Sequence, residues 1–300
     1  MKFEKIVSVD NTGLIEEVKE KLLSLGKEVV FYNDYPKSNY EIIERIKDAD
    51  CVLVSWNTPI DKDVIDNCES LKYIGMCCSL YDEKSSNVDI AASRENGIKV
   101  FGVRDYGDEG VIEFILSQLI ILLHGFGEHQ WKSEELELTN QRLGIIGLGT
   151  LGSMLAMAAN NMGMDVSYFN RTRKPELEAI GVKFLEIKPL LESVDIVSTH
   201  LPRNTIIIDE ENFERLGNGK ILVNTSLEPT FDVQAFANWI IRDGNYGIFD
   251  RVAMGAYYEE LKKHRNVIYT DKVAGWTTQA KERLSYKVIN NIERYFKESI

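Results

Sequence analysis

The sequence lacks a long hydrophobic run, an excess of positive charge and the features of a signal peptide. The most apolar stretch, FILSQLIILL, is too short to span a bilayer, and MKFEKIVSVD at the start has no long apolar segment followed by a cleavage site. We therefore predict a cytoplasmic protein with no membrane partner. The formal net charge of -12, without a basic cluster, repels phosphate backbones, so nucleic acid is not an expected partner.

Cysteines are few, and their spacing is not that of a metal site. The chain has four, at Cys51, Cys68, Cys77 and Cys78. Adjacent Cys77 and Cys78 would form a strained disulfide at best, so we expect reduced, buried thiols and no metal. No low-complexity linker or sequence repeat is present either.

What is present is an alternation of short β-rich runs with helical stretches. The runs include KIVSV, EVVFY, CVLVSW and LKYIGMC, and the alternation restarts at LGIIGLG and continues through VSYFN, DIVSTHL, KILVNTS and YGIFD. This order predicts an α/β protein with two doubly wound parallel-sheet domains. An almost entirely apolar helix is predicted at 108–124, which places the domain boundary near residue 107 and calls for burial between domains or subunits.

The last 25 residues predict a closing helix that packs back on the first domain. Its apolar face is formed by Leu284, Val288, Ile289, Ile292 and Phe296. The predicted domains are therefore 1–107, completed by 276–300, and 108–275.

The segment GLGTLG at 147–152 lies between an apolar run and a helical stretch, and this context makes it a dinucleotide-binding turn. The first glycine makes the tight turn, the second lets a pyrophosphate approach the backbone, and the third lets the helix pack on the strand. The helix N-terminus supplies N–H groups to the phosphates. The predicted contacts here are Gly147, Gly149, Thr150, Leu151 and Gly152.

The end of the next strand, VSYFNRTRK, offers no carboxylate for the ribose hydroxyls of NAD. One or both of its arginines could instead hold a 2′-phosphate. We predict NADP(H) as the cofactor, with NAD as the alternative, and the contacts are Asn170, Arg171, Thr172 and Arg173.

Nearly the whole chain resembles the D-isomer-specific 2-hydroxyacid dehydrogenases. The resemblance rests on LKYIGM, VDIAASRENGIKV, EGVIEF, GIIGLGTLG, SVDIVSTHLPRNT, ILVNTS, FD at 249–250 and VAGWT, in this order. It implies a flavodoxin-like substrate domain, a Rossmann-type nucleotide-binding domain, a small-molecule substrate in the cleft between them and a homodimer. It also implies that the cofactor is lined by His200, Pro202, Asn224, Thr225, Asp250 and Gly275.

The three catalytic positions of the family are replaced in this chain. The substrate-gripping arginine is Leu227, followed by Glu228 where glycine is usual; the catalytic glutamate is Gly255; and the general acid/base histidine is Lys272. Arg104 is the candidate to replace the missing arginine. Substrate contacts are expected from Tyr81, Asp82 and Tyr106, and Asp105 lies on the same loops.

Three hypotheses follow from these replacements. The first, which we favour, is a reductase in which protonated Lys272 polarises a carbonyl or imine and donates a proton, a role that partial burial of the ammonium would assist. The second is a catalytically inactive sensor that binds NADP(H). The third is an ordinary dehydrogenase using another histidine, which we disfavour because none of them has a motif reason to reach the nicotinamide. These histidines are His124, His129, His200 and His264.

Overall fold

The computed structural model describes residues 2–298. The chain divides into two compact units, each continuous except for the closing helix: unit 1 is Met1–Tyr106 with Thr277–Ile300, and unit 2 is Gly107–Trp276. The assignment of the substrate to the first predicted domain and of the dinucleotide to the second stays a prediction.

Unit 1 begins with five strands and four helices in alternation. The strands are β1 (Phe3–Ser8), β2 (Gly26–Phe31), β3 (Cys51–Val54), β4 (Tyr73–Ser79) and β5 (Lys99–Val103), and the helices are α1 (Glu16–Leu25), α2 (Asn39–Ile46), α3 (Lys62–Asp66) and α4 (Ile90–Glu95). They form one parallel sheet in the order β2-β1-β3-β4-β5. This is the flavodoxin-like doubly wound order.

Unit 2 contains seven strands in a second parallel sheet. The strands are β6 (Arg142–Ile146), β7 (Asp165–Phe169), β8 (Lys183–Phe184), β9 (Ile196–Thr199), β10 (Ile221–Asn224), β11 (Tyr246–Phe249) and β12 (Val267–Tyr269). The helices are α5 (Asp108–His124), α6 (Thr150–Asn161), α7 (Pro175–Glu178), α8 (Ile187–Ser193), α9 (Glu210–Leu216), α10 (Val233–Ile240) and α11 (Tyr258–Leu261), with a 3-10 turn at Gly255–Tyr257 before the last. The order β12-β11-β10-β9-β6-β7-β8 places the β6–α6 turn where the winding reverses, as in Rossmann-type domains.

The central strands of both sheets are buried on both faces, which explains their continuous apolar character. In β3 (CVLV) and β10 (ILVN) every residue is buried. In unit 2, α5 and α6 cover one face, while α8, α9 and α10 cover the other around fully buried Trp239, whose Nε1 donates to Gly217 O at 2.7 Å. The predicted fold class is confirmed.

The closing helix α12 (Thr278–Glu298) packs on unit 1. Ser285 Oγ accepts a hydrogen bond from Ile15 N at 3.1 Å, and Asn291 Nδ2 donates to Gly102 O at 3.0 Å. Its predicted apolar face is buried at Leu284, Val288, Ile289 and Ile292.

All four cysteines are buried, and all four lie in unit 1. Burial raises the pKa of the Cys51 and Cys77 thiols well above the ordinary value and that of Cys68 to about 11. Over residues 2–298 there is no cluster of acidic, histidine or cysteine side chains suited to a metal, and no helix with the length and apolarity to cross a membrane.

Candidate functional site

The turn between β6 and α6 requires glycine at two of its three glycine positions. Gly147 has φ +95°, and a Cβ there would lie 2.2 Å from the carbonyl oxygen of His200. A Cβ at Gly152 would lie 2.1 Å from the carbonyl oxygen of Gly147. Non-bonded atoms cannot approach this closely, so only glycine fits at either position. Gly147 lets the turn pack against the end of β9, and Gly152 lets the start of α6 pack against the turn.

The second glycine has a different surrounding. A Cβ at Gly149 would meet no atom within 4 Å, so the backbone here faces open space. The N-terminus of α6 has no side-chain cap and no acidic residue in its first turn, and Thr150 beside it is exposed. Open space against an uncapped helix N-terminus fits a pyrophosphate, because its N–H groups and partial positive charge are left for an anion.

The loop after β7 is organised by hydrogen bonds that the sequence does not reveal. Asn170 Oδ1 accepts from Leu148 N at 3.1 Å, and Asn170 Nδ2 donates to Thr172 O at 2.7 Å, so this side chain ties the loop to the glycine turn. Arg173 pairs with Glu178 through Nε at 3.0 Å and through a second, shorter contact from Nη2.

This pairing engages one of the two arginines that were predicted as candidates for a 2′-phosphate, and their role stays a prediction. Arg173 lowers the pKa of Glu178 and stacks on Phe184, with 5.1 Å from its guanidinium carbon to the ring centre. Arg171 is exposed and has no ion-pair or hydrogen-bond partner in the described part of the chain. Arg171 is therefore the arginine that remains available. Glu178 is a carboxylate that the sequence reasoning missed, because it lies beyond the strand end on α7.

The loop after β9 contains His200 and the exposed Pro202. Nε2 of the His200 ring lies 2.9 Å from Ser198 Oγ, while Nδ1 is buried with no partner among residues 2–298. Burial lowers the pKa of His200 to about 4, so the ring is neutral at physiological pH. A neutral ring with one unsatisfied nitrogen fits a ligand contact better than an acid/base role.

The end of β10 carries two predicted cofactor residues with different surroundings. Asn224 is fully buried: Nδ2 donates to Glu228 O at 3.0 Å and to Ala253 O at 3.3 Å, and Oδ1 accepts from Ser226 N at 3.0 Å. The structure therefore gives its amide a scaffolding position. Thr225 Oγ1 is buried and has no partner within the described residues, so the hydrogen-bonding capacity of this hydroxyl is unused.

Asp250 joins two further loops. Its Oδ1 accepts from Ala253 N at 3.0 Å and its Oδ2 from Ala274 N at 2.9 Å, which fixes the segment containing Gly275. Burial raises the pKa of Asp250, although the backbone N–H groups oppose this shift.

Hydrogen bonds that Asn224 donates and Asp250 accepts therefore link the three loops that carry Leu227, Gly255 and Lys272. We call these loops, 224–230, 250–255 and 270–275, the loop cluster. In it Leu227 is 41% exposed and Gly255 has φ +52°. Lys272 is also exposed, and its carbonyl oxygen accepts from Arg251 N at 3.1 Å.

The surroundings of Lys272 differ from those expected. Its ammonium has no ion-pair or hydrogen-bond partner over residues 2–298, and neighbouring Asp271 accepts a hydrogen bond from Tyr258 Oη instead. The partial burial that would assist proton donation is absent, because the side chain is exposed. The structure leaves this amine available, but it does not desolvate it.

In unit 1, Arg104 follows β5 and is hydrogen-bonded to the loop after β4. Its Nε donates to Leu80 O and its Nη2 to Tyr81 O, both at 2.7 Å, and the guanidinium stacks on the Tyr81 ring. Asp82 Oδ1 accepts from Ser85 N at 2.8 Å, which lowers the pKa of Asp82. Two N–H groups of Arg104 thus fix the loop after β4, and its role as the replacement for the missing arginine stays a prediction. Tyr106 O accepts from Arg283 Nε at 2.8 Å.

The three remaining histidines pack against aromatic rings. Their partners are Phe126 for His124, Tyr246 for His129 and Phe236 for His264, at ring-centre distances of 4.7, 5.9 and 6.4 Å.

The chain matches a family profile described as "D-isomer specific 2-hydroxyacid dehydrogenase, NAD binding domain" over residues 118–274, more than half of its length. It is 26% identical to a hydroxypyruvate reductase of Blautia hydrogenotrophica, covering 93% of this chain and 92% of that protein. It is 27% identical to a glyoxylate reductase of Thermococcus litoralis, covering 96% and 93%.

A similar solved structure is that of an acyclic imino acid reductase in complex with NADPH and D-Arg. Its TM-score is 0.83 and its sequence identity 26%, over 98% of this chain and 97% of that one.

Proposed function

Because the chain belongs to the D-isomer-specific 2-hydroxyacid dehydrogenase family of NAD(P)-dependent oxidoreductases, we propose that it reduces a carbonyl or imine with NADPH, using non-standard catalytic residues. One observation carries this proposal: the open backbone at Gly149 beside an uncapped helix N-terminus, in a turn whose other two glycines are sterically obligatory. Such a turn favours retained cofactor binding even though the catalytic side chains differ.

In this proposal, the α6 N-terminus binds the pyrophosphate, while Thr225 Oγ1 and His200 Nδ1 donate to or accept from polar groups of the cofactor. When bound, the dinucleotide supplies the hydride. Lys272 donates a proton to the carbonyl oxygen or imine nitrogen, so that one hydride and one proton complete the reduction. Its positive charge also stabilises the negative charge that develops on a carbonyl oxygen.

We infer a preference for NADPH from exposed Arg171, which is available for a 2′-phosphate. The NADPH bound to the similar imino acid reductase supports the same preference. Arg171→Ala should weaken NADPH binding about tenfold and leave NADH binding unchanged, as measured by calorimetry. Arg173→Ala is the matched control, because that guanidinium is paired with Glu178. Equal affinities of the wild type for the two cofactors would defeat this inference.

The substrate is proposed to be other than a simple 2-oxo acid bound in the family's manner, because Leu227 cannot grip a carboxylate. Imines are favoured by the likeness to a reductase of acyclic imino acids. The aromatic side chains of Tyr81 and Tyr106, together with Asp82, stay proposed substrate contacts.

A panel of aldehydes, ketones, imines and 2-oxo acids tests the activity through NADPH oxidation. Lys272→Ala should lower kcat at least a hundredfold with KM for NADPH unchanged, because general-acid catalysis is worth roughly that factor. Lys272→Arg is the matched charge control. Turnover unaffected in Lys272→Ala would remove this residue from the mechanism.

The exposure of Lys272 favours a second candidate function, a sensor that binds NADP(H) without catalysis. The same panel separates the two candidates. Tight NADPH binding without turnover of any substrate class would favour the sensor over the reductase.

We propose that the active form is a homodimer. Apolar side chains on α5 and just after it are exposed to solvent in the single chain. Among them are Phe126, at 72% exposure, and Ile121, at 37%. Next to them, Gln118, His129 and the edge strand β12 line a depression of about 300 Å³. Light scattering should give twice the chain mass of 34.2 kDa, and Phe126→Glu should shift it towards the monomer. A monomeric wild type would contradict the proposal.

A further inference from the structure

Glu228 lies beside the position that carries a glutamate elsewhere in the family. A Cβ built at Gly255 would lie 3.8 Å from Glu228 Cγ and 3.4 Å from Pro229 Cδ. Gly255 itself has φ +52°, which disfavours any side chain. The Glu228 side chain therefore lies next to the position where the family's catalytic glutamate would begin.

The backbone at Glu228 is fixed rather than loosely placed. The buried amide of Asn224 donates to the carbonyl oxygen of Glu228 at 3.0 Å and to that of Ala253 at 3.3 Å. One side chain thus holds the two loops next to each other. Asp250 extends the link to the segment that carries Lys272.

The charge of Glu228 is not compensated by a direct contact in the described part of the chain. Its side chain is half-buried, and its carboxylate has neither a hydrogen bond nor an ion pair there. Its neighbour, Leu227, adds an apolar surface where a guanidinium would stand in the family. A partly desolvated carboxylate without a partner favours binding of a cation and disfavours a second carboxylate.

We propose that Glu228 determines substrate specificity: its carboxylate binds a protonated amine or guanidine group that the substrate carries beside its reducible carbonyl or imine, and it repels 2-oxo acids. This inference rests on the reductase activity proposed above and names its substrate class. It assigns Glu228 to contact with the substrate and leaves proton donation to Lys272.

Three ketones of nearly equal size test it: aminoacetone is cationic, hydroxyacetone is neutral and pyruvate is anionic. Wild-type kcat/KM should be at least about tenfold higher for aminoacetone than for pyruvate, the factor of an ion pair worth about 1.4 kcal/mol. Glu228→Gln keeps the size and removes the charge. It should lower kcat/KM for aminoacetone about tenfold, raise it for pyruvate and leave hydroxyacetone unchanged.

Two controls accompany this variant. Glu135→Gln removes an exposed carboxylate from the same unit and should change none of the three values. The Kd for NADPH should be equal in wild type and Glu228→Gln, which shows that the fold and cofactor site are intact.

The outcomes separate the two proposals. Turnover with an unchanged substrate ranking in Glu228→Gln, or a wild-type preference for pyruvate, overturns the role of Glu228 and leaves the reductase standing. If NADPH binds but none of these ketones nor any member of the wider panel is reduced, the reductase fails. Binding of 1-aminopropan-2-ol against lactate to the NADPH complex then decides: tighter aminoalcohol binding that disappears in Glu228→Gln supports the carboxylate's role, and any other order overturns it.

Discussion

The glycine turn and the loop cluster lie in the same unit, but they match the family pattern in different ways. In the turn, the residue types match the family pattern because backbone atoms stand within 2.2 Å of where side chains would begin. In the loop cluster, Leu227, Gly255 and Lys272 stand where the family resemblance leads us to expect other side chains, while buried Asn224 and Asp250 hold the backbone. Steric contacts therefore fix the residue types of the turn, whereas packing does not constrain exposed Leu227 and Lys272 in the loop cluster.

The largest effect is expected from Gly147→Ala, which breaks the turn. A Cβ at 2.2 Å from His200 O and a φ of +95° both oppose alanine. We expect the free energy of unfolding to fall by at least about 3 kcal/mol and NADPH binding to be lost. Urea unfolding and calorimetry measure both. Wild-type stability in this variant would show that the turn relaxes easily.

Asn224→Ala breaks the scaffold of the loop cluster instead. It leaves two carbonyl groups and Ser226 N without their side-chain partner in a buried setting. The free energy of unfolding should therefore fall by about 2–3 kcal/mol. Exposed Asn238→Ala is the control for the substitution type. A loss below about 0.5 kcal/mol, the ordinary range for a surface substitution, would mean that the amide does not hold the loops together.

His200 couples the stability of the turn region to pH. Its pKa is lowered from 6.5 to about 4 in the folded state, so its contribution is present above pH 6.5 and is lost as pH falls towards 4. Between pH 7.5 and 5 this amounts to about 2 kcal/mol, because the unfolded chain takes up the proton first. Urea unfolding of His200→Gln at both values should show a correspondingly smaller loss than wild type. Identical pH slopes would refute the burial effect.

The smallest effect sharpens the comparison within the turn itself. Gly149→Ala meets open space, so the free energy of unfolding should change by less than about 0.5 kcal/mol. The added methyl group nevertheless occupies space proposed for the pyrophosphate, and the Kd for NADPH should rise about tenfold. If the folded variant bound NADPH with unchanged affinity, the pyrophosphate would not lie against Gly149.

Local patterns predicted much of this molecule from sequence. The two parallel sheets follow from runs such as CVLVSW and KILVNTS, and the dinucleotide turn follows from three glycines between a strand and a helix. The two-residue strand β8 was not predicted, because a segment that short has no periodicity.

The site was less predictable where pairing depends on the fold. Three contacts join different segments of the chain. Arg173 pairs with Glu178, Asp271 pairs with Tyr258 rather than Lys272, and Glu228 borders Gly255. No periodicity or spacing encodes such contacts. Only the contact between Glu228 and Gly255 had a sign in the sequence: Glu228 stands where the family usually has glycine.

The distribution of thiols provides a way to watch the halves of the chain separately. Since every cysteine is enclosed within unit 1 and unit 2 has none, a thiol-reactive dye reports the opening of the first unit alone. Three of the four tryptophans, including buried Trp239, lie in the second unit, so in a Trp56→Phe variant the tryptophan emission reports on that unit alone. Labelling and emission recorded along one denaturant series would therefore reveal whether the units melt together or in sequence.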